Sequence, residues 1–253
     1  MKSKGKVAII TGATAGIGLA VAKRLGHDGF TVIINGIKKQ DGAKRVKELA
    51  KEGITAEYYN FDVTNEKDVT TNIKKIGKKY GRIDVLVNNA GGLGGRSRFE
   101  KMTTKFYRNV MALNLDSVFF ASRAAIPFLK KGDNPTIINY TSNAGWNAGG
   151  PGAGIYGTSK AAVHTITRAL AKDLAEYGIR VNAVSPGTID TDFHKQIKST
   201  KPEVFKSWAN NFMLKRLGQP EDVAGVVSFL ASKDAAFLTA ETIQVGGGQA
   251  LGI

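Results

Sequence analysis

Val7-Ala8-Ile9-Ile10-Thr11-Gly12-Ala13-Thr14-Ala15-Gly16-Ile17-Gly18 decides how this chain folds. The apolar run 7–10 reads as a buried strand, and Leu19-Ala20-Val21-Ala22-Lys23-Arg24-Leu25 continues with helical spacing. Three glycines occupy the junction. Gly12 allows the tight turn, Gly16 lets the backbone approach a pyrophosphate, and Gly18 lets the helix pack close to the strand. The helix N-terminus offers free N–H groups and the positive end of its dipole to phosphates. An ordinary flexible turn has no need of this spacing at a strand-to-helix junction.

Outward from this unit, apolar strands alternate with helical segments almost to the end of the chain. Strands are expected near 6–11, 31–35, 56–61, 84–88, 136–140, 180–185 and 242–245, with helices between them. That alternation predicts an α/β fold with a parallel sheet covered on both faces. The 253 residues suffice for one large domain, and neither a linker nor an internal repeat divides them. The chain holds no cysteine, which excludes disulfides, thiol catalysis and thiolate metal sites. His27, His164 and His194 form no ligand spacing, so no metal is expected. No apolar run reaches the length of a membrane span. The chain enters its first strand almost at once, leaving no room for a signal peptide, and a reducing cytoplasm is the expected compartment. The net charge of +15 comes from scattered lysines and reads as a solvated surface rather than a nucleic-acid or membrane footprint. A basic surface would also attract anionic ligands.

Tyr156-Gly157-Thr158-Ser159-Lys160 places a tyrosine and a lysine one helical turn apart. A free phenol titrates near ~10. A cation about 4 Å away is worth roughly 4 kcal/mol, enough to bring it close to neutrality. A general acid or base works best there. Alone the pair is a weak signal, because many helices carry it on a solvated face.

Together the two motifs resemble the short-chain dehydrogenase/reductase family, and further matches run the length of the chain. These are Asn88-Asn89-Ala90-Gly91, Asn114, Ser142, the run from Arg180-Val181-Asn182 to Pro186-Gly187-Thr188-Ile189-Asp190-Thr191, Arg216-Leu217-Gly218-Gln219-Pro220, and Gly246-Gly247-Gly248. The resemblance implies a single Rossmann-type domain over 1–253 with a doubly wound, parallel, seven-stranded sheet. It implies that 188–219 forms a lid over substrate. It also implies that Asn114, Ser142, Tyr156 and Lys160 are catalytic. Tyr156 would exchange a proton with the carbonyl or alcohol oxygen. Ser142 would orient the carbonyl, Lys160 would lower the Tyr156 pKa and hold the nicotinamide ribose, and Asn114 would hold a relay water. Asn114 also reads as a core asparagine bonded to backbone. Ser142 lies fourteen residues before Tyr156, one more than in many relatives. The glycine-rich 146–154 stretch would absorb the extra residue.

Cofactor contacts are expected from Gly12, Thr14, Gly16, Ile17, Gly18, Asn35, Gly36, Lys38, Lys39, Asp62, Val63, Asn89, Ala90, Gly91, Pro186, Gly187, Ile189 and Thr191, besides Tyr156 and Lys160. NAD enzymes usually place an acid near the end of the second strand for the ribose 2′-hydroxyl. Gly36 stands there instead, and Lys38 or Lys39 would pair with a 2′-phosphate. Ala15 and Ile37 stand where NADP-preferring relatives often carry a basic residue. NADP(H) is favoured and NAD(H) is possible.

The substrate-side candidates are Arg96, Arg98, Trp146, His194 and Lys195. A guanidinium would bind a carboxylate through two parallel bonds, while a solvated surface charge is the plainer alternative. The stretches 91–98 and 146–154 resemble the reductases of alginate breakdown that convert 4-deoxy-L-erythro-5-hexoseulose uronate to 2-keto-3-deoxygluconate. A small anionic carbonyl substrate is therefore expected, acted on by a homo-oligomer, most simply a tetramer. Apolar residues around more than one face of the helices expected at 113–129 and 158–175 support the oligomer. The rival readings are a 3-oxoacyl carrier protein reductase and a non-catalytic dinucleotide-sensing or nucleic-acid-binding module.

Overall fold

The computed structural model describes residues 5–249. Its sheet comprises β1 (Val7–Ile10), β2 (Thr31–Gly36), β3 (Ala56–Asn60), β4 (Val85–Asn88), β5 (Thr136–Tyr140), β6 (Arg180–Pro186) and β7 (Thr242–Val245). All six pairings are parallel, in the order β3-β2-β1-β4-β5-β6-β7. Each expected strand is present, with ends displaced by at most one residue. Parallel strands need crossover connections. These are supplied by α1 (Gly16–His27), α2 (Lys39–Lys51), α3 (Glu66–Tyr80), α4 (Thr104–Met111), α5 (Ser117–Leu129), α6 (Ala144–Asn147), α7 (Gly154–Leu174), α8 (Lys195–Thr200), α9 (Pro202–Ser207) and α10 (Pro220–Ala231).

Successive strand residues point to opposite faces. Ala8 and Ile10 of β1 join the core beneath α1 and α10, with Val32, Ile34, Leu25 and Val227. Val7 and Ile9 join the other core, with Ile33, Ile73 of α3 and Leu129 of α5. Burial on both faces is why the central strands read as unbroken apolar runs rather than as alternation.

The expected helix at 113–129 is divided. A π turn at Ala112–Asp116 separates α4 from α5, and Asn114 sits fully buried within it. Widened turns of this kind gather at functional sites. The expected helix at 158–175 starts earlier, at Gly154, which brings Tyr156 into the first turn of the helix that also carries Lys160. Among the described residues no helix is long and apolar enough to cross a membrane.

Strand order reverses between β1 and β4. Beyond β1 the chain builds β2 and β3 on one side, then returns to build β4 to β7 on the other. Loops at the carboxyl ends of these strands diverge at that point and leave a crevice.

Candidate active site

A cleft of about 570 Å³ opens in that crevice, lined by the loops after β1, β4, β5 and β6 and by Gln249. Its first wall is the glycine turn. Gly12 and Gly16 adopt φ of +62° and +54°, which a side chain would strain. A Cβ on Gly18 would lie 2.6 Å from the Gly12 carbonyl oxygen, so only glycine lets α1 meet β1 this closely. Ala15 caps α1 without a side-chain acceptor, and the first turn holds no acid. The leading N–H groups of α1 are thus left for an anion.

Neighbouring strands brace the turn. Thr11 Oγ1 accepts from the Asn89 and Ala90 N–H groups at 3.1 and 3.0 Å. Asn89 Nδ2 donates back to the Thr11 and Gly12 carbonyls at 2.8 and 3.0 Å. Buried Asn35 accepts from Gly12 N–H at 3.2 Å and donates to the Phe61 carbonyl at 2.9 Å. Its amide is engaged within the fold, so Asn35 shapes the cradle. A Cβ on Gly36 would meet Thr14 Cγ2 at 2.7 Å, which gives that glycine a packing reason. Arg45, which sequence reasoning passed over, donates from Nε to the Thr14 carbonyl at 2.8 Å. Lys38 and Lys39 lie exposed at the start of α2. Exposed Asp62 accepts from the Thr64 N–H and hydroxyl in a local turn, and Val63 is buried in the core.

The second wall carries the proton-handling group. Tyr156, Ser142 and Lys160 all line the cleft. Burial pushes the Tyr156 phenol above its ordinary value, opposed by a hydrogen bond with Ser142. Burial also pushes the Lys160 amine down to about 8. Its Nζ donates to the Tyr140 carbonyl at 2.8 Å and lies 5.9 Å from the Tyr156 ring centre. Burial thus acts on the Tyr156 phenol in the direction opposite to that expected of an adjacent cation. Asn114 accepts from Gly92 N–H at 3.0 Å and donates to the Gly92 and Val110 carbonyls, both at 2.9 Å. A Cβ on Gly91 would lie 2.8 Å from Asn114 Oδ1 and 3.0 Å from Lys160 Nζ, so the two groups flank one point beside the cleft.

The third wall follows β6. Pro186, Gly187, Ile189 and Thr191 line the cleft. Ile189 is buried and pairs through its backbone with Gly218, so its side chain belongs to the core. Thr191 Cγ2 sits over Gly16, 3.4 Å from where a Cβ would be.

Of the five substrate-side candidates, Arg96 and His194 line the cleft, while Arg98, Trp146 and Lys195 do not. Arg96 donates to the Pro151 carbonyl at 2.9 Å, and its charge helps to depress the His194 pKa, behind the larger effect of burial. Trp146 turns away from the cleft. Its indole packs against His164, tilted by 55° with ring centres 4.4 Å apart, and donates to Ser185 Oγ at 3.3 Å. It thereby anchors the turn that carries Ser142. Arg98 and Lys195 are exposed.

Sequence reasoning took 188–219 as a lid over substrate, with His194 and Lys195 as its candidate contacts. Its cleft side is aromatic: Phe193 lies 6.3 Å from Tyr156, and His194 packs among Phe193, Phe205 and Trp208. The basic side chains are partly consumed, Lys198 by Asp190 and Lys206 by Glu203. The bulky residues Phe193, Phe205 and Trp208 recurring through a polar stretch were the available signal. Asn143 and Gln249 also line the cleft.

A family model described as enoyl-(acyl carrier protein) reductase matches residues 12–250. The chain is 38% identical over 250 residues to a 3-oxoacyl-(acyl-carrier-protein) reductase of Thermotoga maritima, covering 98% of this chain and 99% of that protein. A solved short-chain type dehydrogenase/reductase from Mycobacterium ulcerans superposes with a TM-score of 0.91 at 30% identity, covering 97% of this chain and 90% of that one. A solved NADH-dependent reductase, A1-R′, responsible for alginate metabolism, superposes with a TM-score of 0.87 at 34% identity, covering 98% of both chains.

Lys160 makes stability depend on pH. Its amine titrates near 8 in the folded chain against an ordinary 10.5. The cost of charging it in the fold is fully present below about pH 8 and gone above about pH 10.5. Relative to Lys160→Met, the wild type should therefore gain stability across that window, on the order of 3 kcal/mol, as read by urea unfolding. Identical pH dependence of the two proteins would show that the amine is not held dry.

Proposed function

This chain belongs to the short-chain dehydrogenase/reductase family and is an NAD(P)-dependent oxidoreductase; from that premise we propose that it reduces a small anionic carbonyl compound. One observation carries the reading. Tyr156, Ser142 and Lys160 share a single cleft with Arg96 and His194.

The residues fit a dinucleotide. Gly12, Gly16 and Gly18 keep the approach to α1 free of side chains, and the uncapped start of α1 suits a pyrophosphate. Pro186, Gly187 and the backbone at Ile189 and Thr191 would hold the nicotinamide end. When bound, the nicotinamide supplies the hydride that reaches the carbonyl carbon. Tyr156, held protonated by burial, gives its proton to the carbonyl oxygen as negative charge develops there. Ser142 Oγ is oriented by accepting from Ala144 N–H at 3.1 Å and aligns that oxygen. Lys160 and Asn114, flanking one point, return a proton to Tyr156 from solvent.

Arg96 is exposed and reaches the cleft, and among the described residues its guanidinium meets only the Pro151 carbonyl, which leaves donors to take up a carboxylate. The likeness to the alginate-metabolism reductase supports a uronate-derived keto acid, 4-deoxy-L-erythro-5-hexoseulose uronate, reduced to 2-keto-3-deoxygluconate. A second reading, reduction of a 3-oxoacyl thioester on a carrier protein, draws support from Leu93 and Phe193 in the lining and from the Thermotoga maritima relative. On the cofactor, exposed Lys38 and Lys39 favour NADP(H), whereas the alginate-metabolism reductase is described as NADH-dependent. The exposed Phe119 ring on α5 supports a homo-oligomer, with a tetramer as the simplest closed form.

Two measurements test these points. With the keto acid and its neutral amide as substrates, the wild type should prefer the acid by about tenfold in kcat/KM, the worth of one charge-assisted contact. Arg96→Ala should erase that preference. Equal rates on acid and amide would return the substrate question to the thioester. Changing Lys38 and Lys39 together to alanine should weaken NADPH binding by about tenfold to a hundredfold while leaving NADH nearly unchanged. Equal losses would show ordinary surface charges.

A further inference from the structure

Gln249 reaches back into the cleft from beyond β7. Gly247 and Gly248, at φ of +53° and +83°, turn the chain there, and Gln249 N–H donates to the Gly246 carbonyl at 2.8 Å. Its side chain then bridges the loop after β5 and the loop after β6, beyond the last rungs of their ladder. Oε1 accepts from Thr188 N–H at 3.0 Å and from Asn143 Nδ2 at 3.1 Å. Nε2 donates to Thr188 Oγ1 at 3.1 Å. Thr188 begins the 188–219 segment, and Asn143 directly follows Ser142. Gly187 leaves the space, since a Cβ there would stand 2.8 Å from Gln249 Oε1.

Donor chemistry sets the orientation of both amides. A backbone N–H can only donate, so Thr188 N–H selects the oxygen of Gln249. Asn143 must then present its NH₂, and its Oδ1 is left buried without a partner. An orphaned buried acceptor is unfavourable. Asn143 is nevertheless placed there with its other half committed to Gln249.

We propose that Gln249 is a positioning residue of the reaction, a strut that sets the Ser142 turn and the root of the 188–219 segment relative to each other. The proposal rests on the reading of Ser142 as the group that aligns the carbonyl. Asn143 N–H donates to the Pro186 carbonyl at 3.2 Å and Trp146 donates to Ser185, so the same turn is already held along β6. Among the described residues, Gln249 supplies the side-chain tie from this turn to the chain beyond β7.

Gln249→Met keeps the length of the side chain and removes both polar groups. One readout needs no substrate. Amide hydrogen exchange over 142–149 and 188–194 should quicken about tenfold in Gln249→Met, while exchange in β1 and α1 matches wild type. The second readout is kinetic, with NADPH and the uronate-derived keto acid. Here kcat should fall about tenfold with the KM for NADPH little changed, the mark of misplacement at the reacting centre. Gln249→Glu, which keeps the acceptor for Thr188 and Asn143, should recover part of the loss. Asn143→Val should lose as much as Gln249→Met, and the double variant no more than either. Unaltered exchange over 142–149, or additive losses in the double variant, would overturn the proposal. If the wild type reduces neither the keto acid nor an acetoacetyl thioester, the proposed function fails, while the exchange result still decides the role of Gln249.

Discussion

A parallel sheet sends the carboxyl ends of all its strands to one edge, and the rest of this molecule follows from that constraint. The loops after β1, β4, β5 and β6 supply Gly12, Asn89, Ser142 and Gly187, residues scattered over most of the chain, to a single cleft. The order reversal between β1 and β4 keeps that edge from closing. Contact distances then decide which residues stand there. Glycines at 12, 18, 91 and 187 occupy points where a Cβ would come within about 3 Å of backbone or of a polar side chain. Their absent side chains keep the strand ends close and the cleft open.

Within that frame the decisive energy is desolvation. Tyr156 and Lys160 line one wall of the cleft, and burial drives each toward its neutral form. The phenol therefore keeps its proton and the amine becomes easier to deprotonate, the polarity that suits delivery of a proton to a carbonyl oxygen. Asn114 depends on a local irregularity. The π turn at Ala112–Asp116 swings its amide onto Gly92, beside Lys160, where a regular helix would have carried it elsewhere.

Much of this was legible in the sequence. Strands buried on both faces announce themselves as apolar runs, which is why the ends of all seven strands fell within one residue. The glycine turn and Tyr156-x-x-x-Lys160 were legible because their spacing is local. Contacts between distant segments were not. Asn35 reads as a cofactor contact until its amide is seen to be committed to Gly12 and Phe61. Trp146 reads as a substrate contact until it is found packed against His164. The tie between Asn143 and Gln249 spans 106 residues and leaves no periodic trace. In the 188–219 segment the lysines stand out in the composition, whereas the packing of His194 among Phe193, Phe205 and Trp208 is visible only in the fold.

The central claim is that Tyr156 acts on the reacting oxygen and not on the dinucleotide. Tyr156→Phe removes one oxygen from the cleft wall and leaves the ring in place. The direct test measures two quantities in that variant: NADPH affinity, by the fluorescence of the bound nicotinamide, and turnover of the keto acid at saturating NADPH. The account predicts affinity within about twofold of wild type and turnover reduced by a factor of roughly a hundred to ten thousand, the usual worth of a general acid. Turnover above about a tenth of wild type, with the dinucleotide still bound, would contradict it.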